Sequence, residues 1–169
     1  MNEDLLRTRA LKIPQGRRAN TNLDEEFRLI PDVSFTCSGT ITGLLIGATN
    51  RIGGSRDEFP EVQVWSSNTG GTLYIRRGNA QQIRLTQGGD FSPDGVYQYN
   101  LTTPMPFQSG DVLGVYQPDE SDSLVTLFYN NDASAPTSLR INSNPTSSVT
   151  RSTLTPTSGQ QILITPISG

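Results

Sequence analysis

The chain has no histidine and a single cysteine, Cys37. Without histidine it lacks the side chain that titrates nearest neutrality and the commonest zinc ligand, so neither a Ser-His-Asp nor a Cys-His nucleophilic centre can be assembled from it. One cysteine excludes an internal disulfide and a thiolate pair for a metal. Charge is scarce as well, at 17% of residues with a formal net charge of -3. Nucleic-acid binding needs a basic stripe that displaces counterions from phosphate, so no nucleic-acid partner is expected. Long apolar runs are also missing. The longest, Ile41 to Ala48, is interrupted by Thr42, Gly43 and Gly47, far short of the roughly 20 residues that cross a bilayer. Direct membrane insertion is therefore not expected. The first residues, Met1-Asn-Glu-Asp-Leu-Leu-Arg, are acidic and lack the apolar centre of a secretory signal.

What is present divides into two parts. Residues 1–23 read as a flexible leader with a short helix. Leu6, Ala10 and Ile13 share a helical face that Pro14 and Gly16 interrupt, and Arg7, Arg9, Lys12, Arg17 and Arg18 make the segment basic. Residues 24–169 read as one domain, with a modest core set by the 33% hydrophobic content. Short runs rich in Val, Ile, Thr, Phe and Tyr alternate there with Gly, Pro, Asn, Asp and Ser clusters, the pattern of antiparallel strands joined by tight turns. From Val33 to Leu44, Val33, Phe35, Cys37, Gly39 and Ile41 alternate with Ser and Thr, placing the first set on a buried face of one strand.

Further strands are expected over 61–65, 72–76, 81–85, 96–101, 112–117, 124–129, 137–141 and 160–165. The fold expected is all-β, an antiparallel two-sheet sandwich of jelly-roll-like form with eight to ten strands. Val112-Leu-Gly-Val-Tyr116 and Leu124-Val-Thr-Leu-Phe-Tyr129 are apolar at nearly every position, so both should be central strands covered on both faces. Gly114 within the first leaves room for an aromatic or another backbone to approach. The turn Phe107-Gln-Ser-Gly-Asp111 uses Gly110 for a conformation that a Cβ resists. By contrast, 142–158 is almost entirely Ser, Thr, Pro and Asn, with isolated Val149 and Leu154. It reads as a long loop or a loosely held edge.

Four stretches, Arg28 to Gly43, Phe59 to Trp65, Val96 to Asn100 and Pro106 to Pro118, occur in an order that resembles a family of extracellular β-sandwich modules. Those modules are often repeated, in large cell-surface and receptor-like proteins of marine invertebrates. The resemblance runs from about Glu26 to Pro166. It implies a non-catalytic structural, adhesion or recognition module, extracellular or at the cell surface, with a protein or glycan partner. No catalytic residue is carried over, and no enzyme activity is expected. A surface module without a visible signal leads to the expectation that the sequence is a piece of a longer product.

Several residues could carry chemistry. Asp119, Glu120 and Asp122 are the best candidates for calcium, which collects six to eight oxygens from loop carboxylates and carbonyls; Asp90 and Asp94 form a weaker pair, and the alternative for both is a solvated loop. No other cofactor is expected. Trp65 shares a strand face with Glu61 and Gln63, so an exposed indole could stack on a sugar. With Tyr97 and Tyr99 it defines the alternative reading, a carbohydrate-binding sandwich with an aromatic platform; packing in the core is the plainer role for a lone tryptophan. Asn100-Leu-Thr102 is an acceptor triplet for N-glycosylation. Asp57, Glu58 and Glu61 lie close in sequence, but nothing fixes a separation suited to glycoside chemistry. Cys37 is either a small buried hydrophobe or half of a disulfide to sequence outside this chain.

Overall fold

A computed structural model describes residues 21–50, 58–85 and 94–169. The expected leader, including its short helix and the Arg7 to Arg18 patch, lies outside the described residues apart from its last three positions. The strands, in chain order, are β1 (Thr21–Asn22), β2 (Glu26–Ser34), β3 (Gly39–Asn50), β4 (Glu61–Ser67), β5 (Leu73–Arg76), β6 (Gln81–Gln82) and β7 (Asp94–Phe107). They continue with β8 (Val112–Gln117), β9 (Val125–Asn131), β10 (Ser138–Ile141), β11 (Ser148–Thr150), β12 (Thr155–Thr157), β13 (Gln160–Ile162) and β14 (Ile164–Ser168). No α-helix occurs among the described residues, and one turn of 3-10 helix, Arg151–Thr153, joins β11 to β12.

The protein is all-β, with two antiparallel sheets. The six-stranded sheet holds β1, β9, β3 and β14 in order, with β13 beside β9 and β7 beside β3. The eight-stranded sheet runs β11-β5-β4-β8-β2-β10-β12, with β6 also on β4. From β2 to β4, and again from β7 to β10, each successive strand changes sheet, an alternation of the jelly-roll kind. The strand count exceeds the expected eight to ten for two physical reasons. Runs read as continuous are broken, and the polar segment after β10 contributes β11 and β12.

The clearest break is at 35–38. The expected strand from Val33 to Leu44 is two strands, separated by a bend in which Phe35 and residue 110–111 backbone exchange hydrogen bonds, Phe35 N–H to Asp111 C=O at 2.9 Å and Gly110 N–H to Phe35 C=O at 2.8 Å. Phe35 stacks on Phe107 with ring centroids 4.1 Å apart, which holds the bend against the turn 107–111. Gly110 takes φ +90°, as that turn requires.

Apolar side chains form two clusters, one on each face of the eight-stranded sheet. The first lies between the sheets, where Ile41, Leu44 and Ile46 of β3 and Leu127 of β9 meet Val62 and Val64 of β4 and Leu113 and Val115 of β8. The second lies on the opposite face and joins Phe27, Leu29, Trp65, Tyr74, Val112 and Leu139 to Val149 and Leu154. The segment expected to be a long loop or a loosely held edge therefore supplies both edge strands of that sheet, β11 and β12, and the cover of this second cluster.

Its path also shapes the sheet. β11 pairs with β5 at one margin and β12 pairs with β10 at the other. If flat, the six inter-strand steps between them would span ~29 Å, yet the five Cα-to-Cα steps from Thr150 to Thr155 reach at most ~18 Å. The sheet must curl, with its concave side toward Trp65.

Gly114 marks the tightest point of the second cluster. A Cβ there would lie 2.7 Å from Trp65 Nε1 and 2.9 Å from Phe27 Cε2, and these two rings meet edge to face at 5.5 Å. Gly114→Ala is expected to cost about 1–3 kcal/mol by overpacking. Urea unfolding followed by circular dichroism measures this, and an unchanged midpoint would mean that the rings have room to yield.

Candidate interaction face

Trp65 is fully buried, at 0% exposure, and presents no face on which a sugar could stack. The alternation placed it correctly with Glu61 and Gln63, but the face they share is the covered one. The indole Nε1–H donates to Gln63 Oε1 at 3.0 Å, and Gln63 Nε2 donates to Asn144 Oδ1 at 2.9 Å. Asn144 Nδ2 in turn donates to Glu61 Oε2 at 2.9 Å. This chain of amides ties the covering segment to β4. Tyr97 and Tyr99 are half-buried, packed against the inter-sheet cluster, and the Tyr99 hydroxyl donates to Gln82 C=O at 3.0 Å. The three aromatics do not form an exposed platform.

The acidic loop after β8 is committed to its own architecture. Asp119 Oδ1 accepts the Ser121 N–H at 2.7 Å, and the Ser121 hydrogen bonds hold this carboxyl below the usual carboxylate range. Glu120 Oε2 accepts from Asn22 Nδ2 at 2.6 Å, and the Glu120 N–H donates to Asp24 Oδ1 at 3.0 Å. Asp122 is exposed. Among the described residues, no group of three or more His, Cys, Asp or Glu could hold a metal ion, so Asp119, Glu120 and Asp122 do not converge as calcium ligands. Asp57, Asp90 and the side chain of Asp94 lie outside what is described. Glu58 is exposed and Glu61 half-buried in the amide chain above. Cys37 is a free, half-buried thiol packed against the inter-sheet cluster. Asn100 and Thr102 are both exposed on β7.

Three polar arrangements had no sequence signal beyond the residue types themselves. Arg28, 1% exposed, lies between the sheets. Its Nε donates to Glu26 Oε2 at 2.7 Å, one terminal nitrogen to Ser138 Oγ at 3.0 Å and the other to Gln160 Oε1 at 2.7 Å. Arg77 forms a fork to the buried carboxylate of Asp111, which also accepts the Gln108 N–H at 2.8 Å and so closes the 107–111 turn. Tyr116, opposite Glu61 on β8, is half-buried; burial first, and then the charges of Glu58, Glu25 and Glu61, push its phenol above the ordinary range.

One exposed face lies on the β7 side of the six-stranded sheet. Its outward row, Val96, Gln98, Asn100 and Thr102, is exposed, and Val96 at 50% is one of the large apolar side chains open to solvent. Beside it on β3, Gly47, Leu45 and Gly43 stand opposite Val96, Gln98 and Asn100. No charged residue occurs from Gly95 to Phe107. The surface is neutral, built from amides, hydroxyls, the Val96 isopropyl group and the half-buried Leu45.

Added calcium is expected to leave the melting temperature unchanged; a rise abolished by Asp119→Ala with Asp122→Ala would restore the metal reading. For Tyr116 the native state keeps its proton to higher pH than the unfolded chain. Its contribution to stability is thus intact below the ordinary phenol range and drains away as pH rises through the folded value. Phenolate absorbance of wild type minus Tyr116→Phe should show one late-titrating group, and Glu61→Gln should bring it earlier. A difference curve centred on the value for free tyrosine would contradict this. Comparison of the chain with family models, with curated proteins and with solved structures finds no match to any of the three.

Proposed function

We propose that the protein is a non-catalytic extracellular module of structural, adhesion or recognition type, part of a longer cell-surface or secreted protein, that meets its partner through the β7 side of the six-stranded sheet. The observation that carries this reading is the unequal use of the two sheets. The eight-stranded sheet has apolar clusters on both faces and is spent as scaffold. The six-stranded sheet offers an exposed row of neutral polar groups. Such a row recognises by hydrogen bonds and shape, which suits a protein or glycan partner better than a polyanion. Among the described residues, no helix is long and apolar enough to cross a membrane.

The test is binding of the multimerised domain to cells and to an array of neutral oligosaccharides, with wild type beside Val96→Asp/Gln98→Asp. Binding is expected to persist from low to high salt, because no charge pairs carry it, and to fall at least tenfold in the double variant. Equal binding by the variant, or loss in salt, would move the contact elsewhere. Signal on the array rather than on glycan-stripped cells would select the carbohydrate reading, made through amides and not through an aromatic platform.

A further inference from the structure

The segment 142–158 is almost entirely Ser, Thr, Pro and Asn, a composition that O-linked sugars decorate in exposed, extended chain. It is also the cover of the Trp65 cluster, through Val149 and Leu154. Composition alone selects no acceptor in it. The fold does.

Proline beside a hydroxyl residue keeps the chain out of helix and extended, the form in which a glycosyltransferase draws an acceptor into its cleft. Among the described residues, the threonines next to proline are Thr103, Thr137, Thr146, Thr155, Thr157 and Thr165. Thr165 is buried, and Thr137 and Thr157 are half-buried. Thr103 and Thr155 are exposed but lie inside strands, β7 and β12. Thr146 is exposed and stands in the connection between β10 and β11, outside any strand.

That connection is pinned on both sides of Thr146. Asn144 is tied to Gln63 and Glu61, and the Ser147 C=O accepts the Arg76 N–H at 2.7 Å. The hydroxyls take no part in the pinning. Thr146, Ser147 and Ser148 are exposed, and none of their hydroxyls has a hydrogen-bond partner among the described residues. No charged residue occurs from Ile141 to Thr150. An uncharged, exposed loop of small polar residues, the kind that proteases nick, thus leads into the strap on which the second core depends.

We propose that Thr146 carries an O-linked sugar, and that this sugar shields the start of the strap from proteolysis. The inference rests on the extracellular reading, because it calls on transferases of the secretory lumen. In the transfer, Thr146 Oγ1 attacks C1 of an N-acetylhexosamine carried on a nucleoside diphosphate. A C–O bond to threonine forms, the C–O bond to the diphosphate breaks, the hydroxyl gives up its proton and the nucleoside diphosphate leaves. The strap covers the face of the eight-stranded sheet that points away from the six-stranded one, so a sugar rooted there leaves the outward row of β7 clear for a partner.

The full chain, placed behind a cleavable secretion signal in an animal-cell host, tests both halves. Trypsin cuts after Arg140 and Arg151, and the peptide between them contains Thr146 and no usable triplet for an N-linked sugar. Its mass should exceed that of the bare peptide by at least one N-acetylhexosamine, fragmentation should place the sugar on Thr146, and the peptide from Thr146→Ala should be bare. In brief proteinase K digestion of the native protein, cleavage within 142–148 should be at least tenfold faster for Thr146→Ala than for wild type. Wild type stripped by glycosidases should be cut like the variant. A bare peptide from folded, secreted protein, or a sugar on Ser147 or Thr150 in place of Thr146, overturns the attachment site, and equal cleavage overturns the shielding role. The added signal delivers the chain to the transferases whatever its native compartment. A bare Thr146 therefore counts against this inference alone, whereas native protein found in the cytosol counts against the extracellular reading.

Discussion

The constraint on which this fold depends is that β8 is apolar in both directions. Leu113 and Val115 point between the sheets while Val112, Gly114 and Tyr116 point the other way, so water must be kept from two faces. The six-stranded sheet covers the first. Among the described residues, the chain's own continuation after β10 covers the second, and it does so with two apolar anchors, Val149 and Leu154, in a segment otherwise made of small polar residues. Curling of the eight-stranded sheet brings its margins close enough for so short a strap to reach both, and Gly114 admits Trp65 and Phe27 at the centre of the curl.

Polar groups inside the sandwich fix how the two sheets sit on one another. A buried guanidinium is costly unless its donors are met, and those of Arg28 are met by Glu26 and Ser138 from one sheet and Gln160 from the other. Sliding either sheet by one residue would strand them. Gln117 acts similarly. Its side-chain amide accepts the Leu127 N–H at 2.9 Å and donates to Val125 C=O at 3.2 Å, standing in for a neighbouring strand along β9.

Much of this architecture was legible in residue order, because two-residue alternation and turn chemistry are local. β8 matches the expected 112–117 at both ends, and its central place between β4 and β2 followed from its apolar residues. Gly110 and Gly114 do what their positions imply. What was not legible depends on remote partners. Alternation grouped Trp65 with Gln63 and Glu61, but whether their face met water was decided by residues about eighty positions later. Clustering of Asp119, Glu120 and Asp122 in sequence gave no information on direction, and their hydrogen bonds run to Ser121 and, for Glu120, to Asn22. The break at 35–38 is invisible in a perfect alternation, since its cause is the distant Phe107 ring.

The position of Trp65 gives the protein an internal optical gauge. It is the sole tryptophan, it belongs to the strapped cluster, and the inter-sheet cluster contains none. Indole emission therefore registers water reaching one of the two cores and is nearly blind to the other. Lifting of the 142–158 strap would redden the spectrum while the amide bands of both sheets stayed in place. Separation of the sheets with the strap still seated would do the reverse.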